Sequence, residues 1–255
     1  MKQILHKYQF LFEELVKRDF KKRYKRTSLG MLWSMLSPLM QLLVFNFIFS
    51  NFFGGDVPHY TVYLFAGVMV FSYFSEGTTQ GMSALMDNAD IITHINIPKG
   101  LFLISKNMAA LINFGLTMVV FFVFAAIDGV TFTWKFLLLI YPIVCLIVFN
   151  IGVGFILSAL YIFFKDMKYI YNIVTMVLTY GSAIFYSIDS FAPNLQMVFH
   201  LNPIYDYISY FRSIVIYNRI PGIGTHLICA GAAAIVLAIG LGLYKKYNYK
   251  FLYYV

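Results

Sequence analysis

Charge is what this chain has least of. Only 12% of its 255 residues are Asp, Glu, Lys or Arg, about half the share found in soluble domains. Together with 60% hydrophobic residues and a mean hydropathy of +0.75, that shortage excludes a soluble globular class and leaves a polytopic membrane protein. Cysteine is nearly absent: Cys145 and Cys229 lie in apolar runs, read as small hydrophobes, and imply neither a disulfide framework nor a metal set. His6, His59, His94, His200 and His226 are scattered without metal-ligand spacing. No phosphate-binding loop ending in GKS or GKT occurs, so the chain is not by itself a P-loop ATPase. No Ser-His-Asp signature stands out, and the few carboxylates mostly flank apolar runs. No cleavable signal peptide is expected, because more than twenty charged and mixed residues precede the first apolar run and no small-residue cleavage site follows. Without a repeat or a low-complexity linker, one membrane domain is the simplest division.

What is present begins with residues 1–28, a basic amphipathic segment. Ile4, Tyr8, Leu11, Phe12 and Leu15 recur at helical spacing, with Lys7, Glu14, Arg18, Lys21 and Lys25 on the other side of the wheel. Such a helix is expected to lie in the headgroup plane, its basic residues against anionic lipid. Residues 29–255 then carry six apolar runs of spanning length: Leu32–Phe53, Thr61–Gly81, Leu103–Ile127, Phe136–Phe163, Ile170–Ile188 and Thr225–Tyr244. Their links are short. Gly54 to His59, including Asp56, joins the first two, and a polar stretch from Leu85 to Gly100 joins the second and third. The region from Asp189 to Gly224 is too polar and proline-broken to span. Pro193, Pro203 and Pro221 divide it into helical pieces near Asn194–His200 and Ile204–Tyr217, which reads as a re-entrant hairpin. The expected fold is all-α and polytopic: six transmembrane helices, an N-terminal amphipathic interface helix, and a re-entrant outer hairpin before the last span.

Orientation follows from Lys and Arg. Nine lie in the first segment (Lys2, Lys7, Lys17, Arg18, Lys21, Lys22, Arg23, Lys25 and Arg26). Lys99, Lys106, Lys165, Lys168, Lys245, Lys246 and Lys250 fall on the same side, against only Lys135, Arg212 and Arg219 on the other. The positive-inside bias puts both termini in the cytoplasm.

Several features carry possible chemistry. Glu76 stands inside the second span beside Ser72, Ser75, Thr78, Thr79 and Gln80. An intramembrane carboxylate is costly and marks a functional site unless it serves as a structural hydrogen bond to another helix. Phe45, Phe49 and Phe52 form a stripe on the first span, with Tyr73 and Phe74 beside Glu76. Aromatic faces stack on sugar rings, so a pore lined by them suits a glycan, although packing or lipid contact explains any single one. The loop from Leu85 to Gly100 has the length and mixed polarity of a short helix docking into a partner groove. Gly152, Gly154 and Ser158, and Ala230, Ala234, Ala238 and Gly242, stand at small-xxx-small spacing and suit close helix packing within or between subunits.

In their order these features resemble the membrane subunit of ABC exporters for surface polysaccharides and polyol phosphates: O-antigen, capsule and wall teichoic acid. The resemblance spans essentially the whole chain. Its most specific part is Arg18-Asp19-Phe20-Lys21, then Arg23-Tyr24-Lys25, Leu29-Gly30, Trp33 and Ser37-Pro38-Leu39. Tyr63–Gly67, Ile97-Pro98-Lys99, Phe163–Ile170, and Asn202-Pro203 followed by Tyr210 and Arg212 complete it. Two departures are Lys165, where the family usually has Arg and a bidentate contact would be lost, and Phe71, where many relatives carry Trp. The resemblance implies two copies of this chain around a pore, two separate ATP-binding cassette subunits holding the ATP and Mg, and no cofactor on this chain. It implies ATPase docking through the first helix (Arg18, Asp19) and a coupling helix (Asp90, Ile91, Ile92, His94, Ile95, Pro98). Pore contacts would be Phe45, Phe49, Phe52, Tyr73, Phe74 and Glu76, and the gate Asn202, Pro203 and Arg212. A lipid-linked glycopolymer would cross the bacterial cytoplasmic membrane; nucleic acid is not an expected partner. Alternatives are a permease of the same architecture for a drug, lipid or peptide, a membrane-embedded lipid-linked transferase using Glu76 or Asp90, or a membrane scaffold.

Overall fold

Helix dominates because long apolar runs are broken only by short polar, Pro- or Gly-marked links, and in hydrocarbon a helix satisfies its own backbone. The computed structural model describes residues 2–24, 30, 32–55, 57–95 and 97–254. Lys25, Arg26, Leu29 and Asp56 of the readings above lie outside the described residues, as do the side chains of Lys2, Ile4, Lys7, Arg23 and Tyr24.

The chain runs through α1 (Lys2–Tyr24), α2 (Leu32–Phe53), α3 (Tyr60–Ser83), α4 (Ala89–His94) and α5 (Gly100–Ile127). It continues through α6 (Ile140–Phe163), α7 (Met167–Gly181), α8 (Pro193–Phe199), α9 (Pro203–Val215), α10 (Ile223–Tyr247) and α11 (Phe251–Tyr254). Short 3-10 turns lead into α4 at Met86–Asn88 and into α6 at Trp134–Leu139. No strand occurs among the described residues.

Among the described residues, four stretches are by length and composition both long and apolar enough to cross a membrane unaided: Met35–Phe53, Gly100–Ile127, Trp134–Phe163 and Ile223–Tyr247. Two of the six expected spans fall outside that set, each for a physical reason. α3 sits at the centre, packed against α2, α5, α6 and α9, and is buried without a break from Val62 to Phe71. A helix enclosed by protein is free to carry Ser72, Ser75, Glu76 and Gln80. α7 has 15 residues and is therefore about 22 Å long, short of the roughly 30 Å of hydrocarbon. The expected run to Ile188 stops at Gly181, because the carbonyls beyond it are taken by side chains of other helices. The hairpin pieces fall within one or two residues of their expected places, and Pro193 and Pro203 each occupy a first-turn position, where the missing N–H costs nothing.

The closest helix pairing is α6 on α10. A Cβ on Gly152 would come within 2.6 Å of the Leu237 amide nitrogen, and one on Gly240 within 2.7 Å of the Gly152 carbonyl oxygen. Backbone meets backbone there, within one subunit. Gly152 belongs to the expected small-residue line on α6, but the α10 line does not. Cys229, Ala233, Gly240 and Tyr244 face inward, while Ala234 and Ala238 are exposed. The 3.6-residue repeat lets two neighbouring stripes of small residues compete, and Gly240 decides because only glycine permits that approach.

Candidate functional site

Three polar assemblies interrupt the apolar packing. The first is at the α1 end. Leu15 is buried with Ala84, Leu85, Ile92 and Phe102, which lays α1 against the start of α5 and the α3–α4 connection. One turn on, Arg18 Nη2 donates to Asn88 Oδ1 at 2.7 Å and to Asp19 Oδ1 at 2.9 Å. Lys106 Nζ reaches Asp87 at 3.1 Å and Asp19 at 3.8 Å. Asn88 in turn donates to the Ala84 carbonyl. α1, α5 and the lead-in to α4 are thus joined by one charged network. The Asp19 side chain is 3% exposed and Arg18 41%, so of this expected docking pair only Arg18 still offers surface. In α4, Asp90 and His94 are exposed, as are Ile95 and Pro98 beyond it, whereas Ile92 is buried and Ile91 partly so. His94, Ile95 and Pro98 border a cavity of about 620 Å³ shared with Tyr8, Lys99 and Tyr249. Lys99 Nζ donates to Asn248 Oδ1 at 3.1 Å and to its carbonyl, tying the end of α10 to the start of α5. Burial pushes the Lys99 ammonium below its ordinary pKa.

The second assembly lies midway along α3. Glu76 Oε1 accepts from Asn113 Nδ2 at 2.9 Å and from Gln80 Nε2 at 3.1 Å. Tyr73 donates to Asn107 Oδ1 at 3.0 Å, and the Thr78 and Tyr171 hydroxyls share a 2.6 Å bond. Gly77 makes room for this set: a Cβ there would lie 3.0 Å from Asn107 Nδ2 and 3.2 Å from Asn150 Nδ2. Glu76 and Tyr73 also border a cavity of about 160 Å³ between α2, α3 and α5.

The residues read from sequence as a pore set do not share one surface. Phe45 and Phe49 both pack on Phe185, at ring distances of 5.0 and 4.6 Å, while Phe52 is exposed. Tyr73 stacks on Phe114 at 4.8 Å, and Phe74 lies against Phe149.

The third assembly replaces the missing end of α7. Asn202 caps α9, its Oδ1 accepting from the Ile204 amide at 3.1 Å, and its Nδ2 donates to the Gly181 carbonyl at 3.1 Å. Arg212 donates to the carbonyls of Ala183 (2.9 Å) and Ile184 (2.8 Å). Tyr60 takes Phe185 and Tyr63 takes Tyr186, each at 2.8 Å. Four successive carbonyls are therefore held by α3 and α9 side chains. Side-chain donors thus stand in for the backbone partners that this non-helical stretch lacks. Ala183 adopts φ +46°, a left-handed conformation costly for alanine and kept by these bonds. Gly67 is what lets Arg212 in, since a Cβ there would stand 2.9 Å from its Nη2. Of the three residues read from sequence as a gate, Asn202 and Arg212 donate to carbonyls of this break, and Pro203 begins α9 next to Asn202. Tyr60, Asn88, Lys106 and Phe185 were not singled out by sequence reasoning as site residues. Lys106 had a detectable signal, a lone charge early in an apolar run.

Comparison with known proteins adds to this geometry. The family model described as ABC-2 type transporter matches residues 11–216. The O-antigen export system permease protein RfbA of Klebsiella pneumoniae is 28% identical over 249 residues, covering 95% of each chain. Its namesake in Myxococcus xanthus is 25% identical over 253 residues, covering 97% of this chain and 96% of the relative. The polysialic acid transport protein KpsM of Escherichia coli is 23% identical over 237 residues, covering 91% and 92%.

Proposed function

The chain belongs to the ABC-2 type transporter family, and on that premise we propose that it is the permease subunit of an ATP-driven exporter of a cell-surface polysaccharide of the O-antigen or capsule kind. The observation that carries this reading is the likeness, over nine-tenths or more of both chains, to two O-antigen export permeases and a polysialic acid transport protein. The chain is not itself the enzyme; ATP is hydrolysed by a separate partner subunit, which carries the nucleotide and Mg.

The finer reading is a pair of copies with two ATPases. Six spans cross the cytoplasmic membrane, α3 and α7 completing the four that are apolar enough alone, and α8 and α9 form a re-entrant hairpin at the outer mouth. The bias of Lys and Arg supports cytoplasmic termini. The exposed Asp90, His94 and Ile95 support α4 as the coupling helix that meets the ATPase, with the Arg18–Asn88 bond making α1 and α4 move together. The uncovered apolar faces of α2 (Leu43, Phe47) and α7 (Ile173, Val177) support a second copy or lipid as their neighbour. A lipid-linked O-antigen, capsule or teichoic acid polymer is the cargo that fits. ATP-driven approach of the ATPases would shift the pore between two populations through α4.

The test is purification of the tagged chain from its native cell under mild solubilisation. An ATPase subunit at about one-to-one stoichiometry, lost on Arg18→Glu or on scrambling Ile91–Ile95, is the expected result. A homo-oligomer without ATPase, under conditions that preserve other membrane complexes, overturns the reading.

A further inference from the structure

The cavity between α2, α3 and α5 is bordered by polar side chains with hydrogen-bonding capacity to spare. Trp33, Ser37 and Gln41 of α2, which are exposed, and Ser72 of α3 line it without a side-chain hydrogen bond among the described residues. Gln41 lies about 14 Å from the start of α2 and Ser72 about 16 Å from the end of α3, near the middle of a bilayer roughly 30 Å thick. An unmatched amide at that depth costs a few kcal/mol unless something polar meets it. Glu76, held by Asn113 and Gln80, also lines it. Trp33 and the stacked pair Tyr73 and Phe114 add aromatic surface to the lining.

The donor set narrows what fits. A phosphate is excluded by the Glu76 carboxylate, which repels an anion where screening is weak. A bare cation would be served by Glu76, yet it would face the Gln41 amide and indole donors with nothing to offer them. A neutral hydroxylated ring satisfies both kinds of group. Each hydroxyl both donates and accepts, its donors suit Glu76 and its acceptors suit Gln41, and its C–H face suits an indole plane. About 160 Å³ is the scale of one sugar ring, not of an oligosaccharide.

We propose that this cavity is a subsite for a single neutral pyranose unit, with Glu76 and Gln41 as its polar contacts and Trp33 as its platform. The inference rests on the polysaccharide-export reading and locates within this chain a sugar contact apart from the Phe45–Phe49 stripe.

Trp33 and Trp134 are the two tryptophans of the chain, so Trp134→Phe leaves Trp33 as the sole reporter. The full-length variant, in lipid nanodiscs, is titrated with glucose, galactose, mannose and N-acetylglucosamine, and with open-chain sorbitol as control. The expected result is a saturable change in Trp33 emission with at least one pyranose and none with sorbitol. Apparent affinity should fall about tenfold in Glu76→Gln, where a charge-assisted hydrogen bond is lost, and several-fold in Gln41→Leu. Gln41 is exposed, so its replacement leaves folding intact if Glu76→Gln does not. No saturable response to any pyranose, or an undiminished one in Gln41→Leu, overturns the proposal. The two readings fail separately: ATPase co-purifying with a chain that ignores sugars defeats the subsite alone, whereas loss of the ATPase partner defeats the permease reading.

Discussion

The guanidinium of Arg212 lies 3.4 Å from the centre of the Tyr63 ring while its Nε donates to the Tyr63 carbonyl at 3.2 Å. One residue of α3 thus meets the fully buried arginine of α9 with both its ring and its backbone. Two further donors of Arg212, one on each Nη, go to the carbonyls of the α7 break. Among the described residues no carboxylate forms an ion pair with this cation; carbonyl dipoles and a π face solvate it instead.

Arg212→Met should therefore leave two buried carbonyls, those of Ala183 and Ile184, unpaired, at about 1–3 kcal/mol each. A clear drop in thermal stability is expected, with faster hydrogen exchange concentrated at residues 182–186. Arg212→Lys should recover only part of the loss, because a point charge cannot reproduce the planar fork. Unchanged exchange across 182–186 in Arg212→Met would refute the role.

Asn202→Ala removes the N-cap of α9 and the donor to Gly181 together. A loss of about 1–2 kcal/mol is expected from the cap, plus the cost of the orphaned carbonyl. Asn202→Asp should keep the cap and lose the two Nδ2 bonds, to the Gly181 carbonyl and the Ser182 hydroxyl oxygen, so denaturation midpoints of the two variants separate cap from donor.

Gly240→Ala and Gly152→Ala should both destabilise by about 1–3 kcal/mol or more, since the clash is with backbone that has little freedom to move. Gly242→Ala, with nothing within 4 Å of the added Cβ, should be neutral or slightly stabilising. A denaturation series in detergent checks the contrast, and equal effects at 240 and 242 would overturn the packing argument.

Arg18→Ala and Asn88→Ala should be non-additive, with a coupling energy of about 0.5–3 kcal/mol, because each removes the same 2.7 Å bond. The double-mutant cycle is best read twice, on stability and on polymer-stimulated ATPase activity of the assembled complex. Coupling in the second readout would mark the bond as part of the transmission path. Additive effects in both would reduce it to an incidental contact.

Much of this was legible in the residues. Long apolar runs with sparse charge dictate helices because no other open structure hides its backbone in lipid, and the bounds of α2 and the end of α5 fall where the apolar run stops. Arg18-Asp19 and Asn202-Pro203 stood out only through the resemblance to the exporter family. Their local meaning was not legible, because each acts on a partner remote in sequence: Asn88 is 70 residues from Arg18, and Ala183 is 29 from Arg212. The end of α7 was misread for the same reason. From Ser182 to Ile188 there is neither proline nor glycine, so local propensity continues the helix, and only competing donors on α3 and α9 stop it.

The sequence by itself determined the class of the protein, its helical content and its charge asymmetry, since these follow from hydropathy and short-range periodicity. Tertiary structure decided which stripe of α10 meets α6, which aromatics share a surface, and where α7 ends. Those depend on the distance between groups far apart in the chain, and a one-dimensional pattern carries no such distance.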